Sequence, residues 1–324
     1  MTPDPEQPTP DESAREIAEL RTRVDLLEHQ LRELSVLRRP DEGHWLGRPE
    51  LREDRKPGVD VLNHSRPCRQ ADFETPWFSY WSERLGERLR YHRKLWEFVF
   101  IAQALHERRQ LRSGARGLGF GVGREPLAAY FASRGCRVTG TDLAPQQAAD
   151  AGWTATDQHA EGKAALMRPD LCDPDVFETA VDFRVVDMNA IPNDLTGYDF
   201  CWSACALEHL GSLEAGMAFI ERSIDTLQPG GFAIHTTELN LTSDQRTLET
   251  GGTILYRRRD LTALAERLTA AGHIVAPLDF DAGSGPVDSF VDIPPYLPEP
   301  HLRMALAGFA TTSVGIIVQK TGQP

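Results

Sequence analysis

The sequence predicts an α/β fold in which a mostly parallel sheet carries helices on both faces behind an N-terminal helical extension. Three observations predict it. Beyond Ser113 short β-branched runs alternate with amphipathic helical stretches. A glycine-rich segment, Gly117 to Gly123, falls where the first strand passes into a helix. Far upstream, Ile17, Leu20, Val24, Leu27, Leu31 and Leu34 recur with alternating three- and four-residue spacing.

Taken in chain order, residues 1–11 are rich in Pro, Asp and Glu and read as a disordered tail. Residues 12–39 form the coiled-coil helix, which either joins copies of the chain or packs on its own catalytic domain; Pro40 ends it. Residues 40–111 combine a connector with a helical cap. In that cap Trp81, Leu85, Leu89, His92, Trp96, Phe100 and Ala104 recur near helical spacing, consistent with one or two amphipathic helices. Residues 112–324 form the catalytic domain. Strands are expected at Ala115–Phe120, Arg137–Thr141, Asp182–Val186, Asp199–Ser203, Gly231–Thr236, His273–Phe280 and Ser313–Gln319, and helices at Glu125–Arg134, Leu213–Leu227 and Leu261–Ala271.

Composition narrows the function. Apolar residues make up 40% and charged residues 26% of the 324, enough to bury a sizeable core. A net charge of −13 disfavours nucleic-acid partners, because phosphate affinity needs clustered cations. Arg108-Arg109 and Arg257-Arg258-Arg259 read as solvated helix faces or as a local site for an anionic small substrate. No apolar run is long enough to span a bilayer and the N-terminus lacks a signal-peptide pattern, so a cytoplasmic location is expected. Cys68, Cys136, Cys172, Cys201 and Cys205 are odd in number and lack CxxC spacing, which reads as reduced thiols.

The glycine loop by itself is ambiguous between a tight turn and a nucleotide site. The downstream material decides. Asp142 closes the second strand and is followed by Leu143; Asp187-Met188 close the third; Ser203 ends the fourth, followed by Leu207-Glu208-His209-Leu210; and Leu227-Gln228-Pro229-Gly230-Gly231 leads into the fifth. In this order and spacing the elements resemble the class I S-adenosylmethionine-dependent methyltransferase superfamily, over roughly residues 115–320. The resemblance implies a Rossmann-like seven-stranded methyltransferase sheet whose last strand is antiparallel. It also implies S-adenosylmethionine as cofactor, held by Gly119, Gly121, Gly123, Asp142, Leu143, Asp187, Met188 and Ser203. Asp142 would accept the ribose hydroxyls, and Asp187 would meet the adenine amino group with Met188 against the ring. Two departures stand out. Gly117 replaces an acid that the family often carries two places before its first motif glycine, and residues 153–180 form a long insertion, expected either to place helices over the cofactor or to be a passive elaboration.

Methyl transfer from a sulfonium needs aligned reactants and, for a hydroxyl acceptor, a group to take its proton. His209 is the expected base, oriented by Glu208 or Glu238. An alternative is a divalent ion, Mg or Mn, held by Glu208, His209, His235 and Glu238. Related O-methyltransferases carry Glu-x-x-Glu-His, but Cys205 stands here in place of the first Glu, which weakens that alternative; Glu208-His209 capping a short helix is the structural one. His64, Trp77, Trp81, His159 and the segment 281–300, with Asp288, Asp292 and Tyr296, are further candidates for shaping the acceptor pocket. The expected activity is O-methylation of a small molecule or of a sugar or polysaccharide end. The alternatives are N-methylation of a metabolite or natural-product intermediate, and a coiled-coil scaffold with a silent methyltransferase fold. The expected partners are that acceptor and, through the coiled coil, further copies of the chain as a homo-oligomer.

Overall fold

The computed structural model describes residues 10–37, 47–150 and 159–322. Most of the expected tail, the end of the first helix at Pro40 and the start of the 153–180 insertion lie outside the described residues. The helices are α1 (Pro10–Leu37), α2 (Gln70–Phe73), α3 (Pro76–Arg84), α4 (Arg93–Glu107), α5 (Leu127–Ser133), α6 (Pro145–Asp150), α7 (Pro174–Ala180), α8 (Leu213–Asp225) and α9 (Arg258–Ala270). The strands are β1 (Arg116–Phe120), β2 (Arg137–Asp142), β3 (Val181–Val185), β4 (Tyr198–Ala204), β5 (Leu227–Asn240), β6 (Ile274–Val275), β7 (Val291–Asp292), β8 (Arg303–Leu306) and β9 (Phe309–Gln319).

Local chemistry sets the helix starts. The Thr75 hydroxyl accepts from Phe78 N with Pro76 opening α3, Asp173 caps α7 ahead of Pro174, and Ser212 caps α8. At α4 the cap is unusual: His92 Nδ1 accepts from Lys94 N at 3.1 Å.

The sheet runs β3-β2-β1-β4-β5-β9-β8-β7, with β6 also paired to β9. Its first five strands are parallel, and β9 lies antiparallel to β5 from Phe232 opposite Gln319 to Asn240 opposite Thr311. This is a mixed Rossmann-like sheet, with order reversing between β1 and β4. Two apolar clusters cover its faces. One joins α3, α4 and α5 to Phe200, Trp202 and Ile234; the other joins α8 and α9 to Leu118, Cys201 and Ala233. Every residue of β4 is buried.

The seven expected strands are all present, and two more appear. The segment expected as one strand from His273 to Phe280 is ladder-paired to β9 only at Ile274 and Val275, because Pro277 has no N–H and the chain then turns to residue 65: Ser65 N donates to Pro277 O and Asp279 N to Ser65 O. The segment 281–300, where no strand is expected, supplies β7, parallel to β8, which extends the sheet beyond β9. Within the 153–180 insertion the described part holds a short 3-10 turn at Lys163–Leu166 and α7, and α7 packs on α5 and β3 at the flank of the sheet. No described helix is long and apolar enough to cross a membrane. The cysteines are free thiols, four of them buried.

Candidate active site

At the carboxyl ends of the parallel strands a cavity of about 860 Å³ opens at the point where strand order reverses. One half is built by the motifs of the first three strands. Gly121 (φ +56°) and Gly123 (φ +50°) hold the loop after β1 in left-handed backbone that L side chains rarely adopt. Asp142 at the end of β2 is the loop's fixed point. Its Oδ2 accepts from Gly123 N (3.0 Å) and Ala160 N (3.1 Å), and its Oδ1 accepts from Leu143 N (2.8 Å). Leu143, Asp187 and buried Met188 line the same half, with Gln147 and His159. His159, a candidate for shaping the acceptor pocket, contacts Leu143 O through Nε2 at 2.9 Å, in the half built by the first three strands.

Two members of the expected cofactor set do not face the cavity. A Cβ on Gly119 would sit 2.4 Å from Val122 Cγ1 and 2.5 Å from the Trp202 ring, so this glycine serves packing. Ser203 is fully buried and bonds His235 Nδ1 at 2.8 Å. The acid missing at Gly117 has no room either, since a Cβ there would meet the Phe200 ring at 2.4 Å. A different carboxyl reaches the cavity beside the glycine loop. Glu125 is buried, accepts from Trp202 Nε1, and is pushed up to about 8, mainly by burial.

The other half is lined by residues of α4, the loop after β4, β5 and the C-terminal segment. Cys205 (φ +49°) begins a tight turn that delivers Glu208 and His209 on a 3-10 turn, Leu207–His209. His209 Nδ1 contacts Gly252 O at 2.7 Å, and burial pushes the imidazole down to about 4. The orienting group is therefore a backbone carbonyl; Glu208 stands 3.9 Å from Nε2 and Glu238 is engaged elsewhere. Donating Nδ1–H to that carbonyl leaves Nε2 as the proton-accepting nitrogen of the neutral ring. Burial, then the Glu238 charge, pushes Glu208 up to about 8.

Two cations absent from the expected site organise these carboxylates. Arg93 pairs with Glu238 and lies 3.3 Å from Glu97; Lys94 pairs with Glu97 at 2.7 Å and donates to Ala204 O. Burial alone would lower both cations, but the carboxylates around them hold both raised. Glu238 also accepts from Thr311 Oγ1, and Glu208 from Thr237 Oγ1.

The four ligands expected for a metal are not brought together. His235 lies in the core against α8, with Nδ1 on Ser203 Oγ and Nε2 on Ser223 Oγ. Strand alternation accounts for this: His235 shares the α8 face with Ala233, whereas Glu238 shares the α4 face with Ile234. Cys205, Glu208 and Glu238 do place one ligand atom each within 4.8 Å of one another, but the Arg93 guanidinium already neutralises Glu238. The donor set does not suit a resident divalent ion.

A protein-family model described as a methyltransferase domain matches residues 118–235, which run from the glycine loop through the end of β4 into β5. The chain carries a class I S-adenosylmethionine-dependent methyltransferase domain. Its methyl donor is S-adenosylmethionine. No curated protein matches the chain at a significant level. Solved structures similar in fold include the Burkholderia thailandensis 1,6-didemethyltoxoflavin-N1-methyltransferase, 19% identical over 65% of this methyltransferase and 72% of that chain, TM-score 0.37. Magnesium protoporphyrin IX methyltransferase from Synechocystis PCC 6803 is 12% identical over 74% and 92%, TM-score 0.40. A glycopeptide N-methyltransferase is 12% identical over 67% and 94%, TM-score 0.39.

Proposed function

We propose that this methyltransferase transfers the methyl group to a hydroxyl, on a small molecule or on a sugar or polysaccharide end. The observation that carries the reading is the imidazole of His209 lining the cleft, held neutral by burial, with its Nδ1 on the Gly252 carbonyl. A hydroxyl loses its proton as the new C–O bond forms, so a nearby neutral base stabilises the transition state. Glu208 and Glu238 sit behind it in the Arg93–Lys94 network, where they set the field rather than hold the ring. On the cofactor side Asp142, Leu143, Asp187, Met188, Gly121 and Gly123 cradle the nucleoside. Glu125 takes the place of the acid missing from β1, facing the methionine end.

The test is a screen of hydroxyl and amine acceptors with S-adenosylmethionine, reading product by mass spectrometry and fragmentation. O-methylated products support the reading; products methylated only on nitrogen reject it.

For α1 we propose pairing with a second copy of the chain. Ile17, Leu20, Val24 and Leu27 are each more than half exposed along one stripe, an apolar seam too regular for a solvated helix.

A further inference from the structure

The C-terminal segment carries a second imidazole into the acceptor half of the cleft. His301 and His92 both line it, from strands of chain joined edge to edge: His301 N donates to Tyr91 O (2.8 Å) and Arg93 N to His301 O (2.9 Å). Their ring centroids are 5.0 Å apart. Behind His301 lies Asp292, fully buried, whose Oδ2 takes both His301 Nδ1 and Leu297 N at 2.8 Å. Tyr296 packs edge-on against the His301 ring and is itself tied to Ala305 O. No Lys or Arg among the described residues pairs with Asp292, so the imidazole is this carboxylate's ionic contact.

The hydrogen bonds assign the two rings opposite roles. His92 Nδ1 must accept, because its partner is the Lys94 backbone N–H, so its proton sits on Nε2. Burial above all, with the Arg90 and Arg93 charges beside it, pushes His92 down to about 3, which keeps it neutral. His301 Nδ1 must donate, because its partner is a carboxylate, so in the neutral form of this ring Nε2 accepts. A donor and an acceptor thus stand side by side on one wall. A hydroxyl satisfies both at once; an ether or carbonyl oxygen can only accept, and an ammonium can only donate.

We propose that His92 and His301 bind a second hydroxyl of the acceptor, next to the one that is methylated, so that the substrate is a vicinal diol such as a sugar ring or a catechol. His92 donates to that oxygen and His301, positioned by Asp292, accepts from it, while His209 serves the reacting hydroxyl. This rests on the hydroxyl-acceptor reading above.

The test pairs each diol with its single-hydroxyl counterpart: methyl glycosides against their monodeoxy forms, and catechol against phenol. The wild-type enzyme should favour the diol by about tenfold or more in KM, since an unpaired donor and acceptor in the site penalise the deoxy form. His301→Ala should erase that preference, raising KM for the diol about tenfold while moving kcat much less. Asp292→Asn should give an intermediate KM. Nitrogen-15 spectra of the histidine rings, taken with S-adenosylhomocysteine bound, should show His92 carrying Nε2–H and His301 carrying Nδ1–H. The inference is overturned if diol and deoxy acceptors are O-methylated equally well, if His301→Ala keeps the preference or lowers kcat at unchanged KM, or if the spectra show the opposite tautomers. Products methylated only on nitrogen would remove the hydroxyl reading first and this one with it.

Discussion

Replacing Asp142 by Asn should separate the carboxylate's charge from its shape. The side chain accepts three backbone N–H groups, two on Oδ2 and one on Oδ1. An amide has one oxygen, so either flip turns an NH2 against a backbone donor; the cheaper flip sacrifices the 2.8 Å bond from Leu143 N. Losing one hydrogen bond to a charged group, with its donor left buried, costs about 3 kcal/mol, of which loop and ligand share the loss. If most of it appears in cofactor affinity, S-adenosylhomocysteine should bind roughly 150-fold more weakly. Isothermal titration reads this directly, with the melting temperature of the free protein as the control for folding. A dissociation constant within about threefold of wild type, with unchanged melting temperature, would refute the assignment of Asp142 as the anchor of loop and cofactor.

His209→Ala should lower kcat for a hydroxyl acceptor by about 100-fold, the lower end of general-base effects, because burial makes this imidazole a weak base; unchanged kcat would remove it from the chemistry. The Glu125 carboxyl is raised from an ordinary 4.5 to about 8, so its protonated form stabilises the ligand-free fold below that lower value, and the contribution is lost as pH rises through about 8. Glu125→Gln should therefore flatten the fall in melting temperature between about pH 4.5 and 8, and a curve parallel to wild type would reject the shift. Chelator treatment should leave methyl transfer unchanged, since Arg93 already neutralises Glu238; loss of activity that is restored by Mg or Mn would contradict this. Removing residues 1–40 should reduce the subunit count measured by light scattering, and an unchanged count would end the case for pairing through α1.

The half of the cavity built by the first three strands was legible in the sequence because its signals are local. A glycine loop after a strand, an acid closing the next strand and an acid-Met pair closing the third each lie within a few residues of one another, so order and spacing suffice for Gly121, Gly123, Asp142, Asp187 and Met188. Where the reading went astray, the deciding contacts were physical details within reach or far along the chain. Strand alternation would have turned His235 and Ser203 toward α8, because each lies two positions from a residue of that face, Ala233 and Cys201. Gly119 was read as a ligand cradle when its lost Cβ makes room for Trp202. The other half was mostly illegible: Arg93 and Glu238, or His92 and His301, lie far apart in sequence, and the Pro-rich segment that carries Asp292 and His301 has no period to betray β7 and β8. The sequence offers Asp292 only as one candidate for shaping the acceptor pocket. Its meaning depends on a histidine nine residues later that the chain folds back against it.

The most direct test of the account is to incubate the full chain with S-adenosylmethionine carrying a deuterated methyl group and a panel of diols, monoalcohols and amines, following both the labelled product and S-adenosylhomocysteine. The account predicts equal amounts of the two, with the label on a hydroxyl oxygen of a diol. Label on nitrogen would overturn the acceptor assignment, and no labelled product with any acceptor, from a protein that binds S-adenosylmethionine, would contradict the proposed transfer to these acceptors.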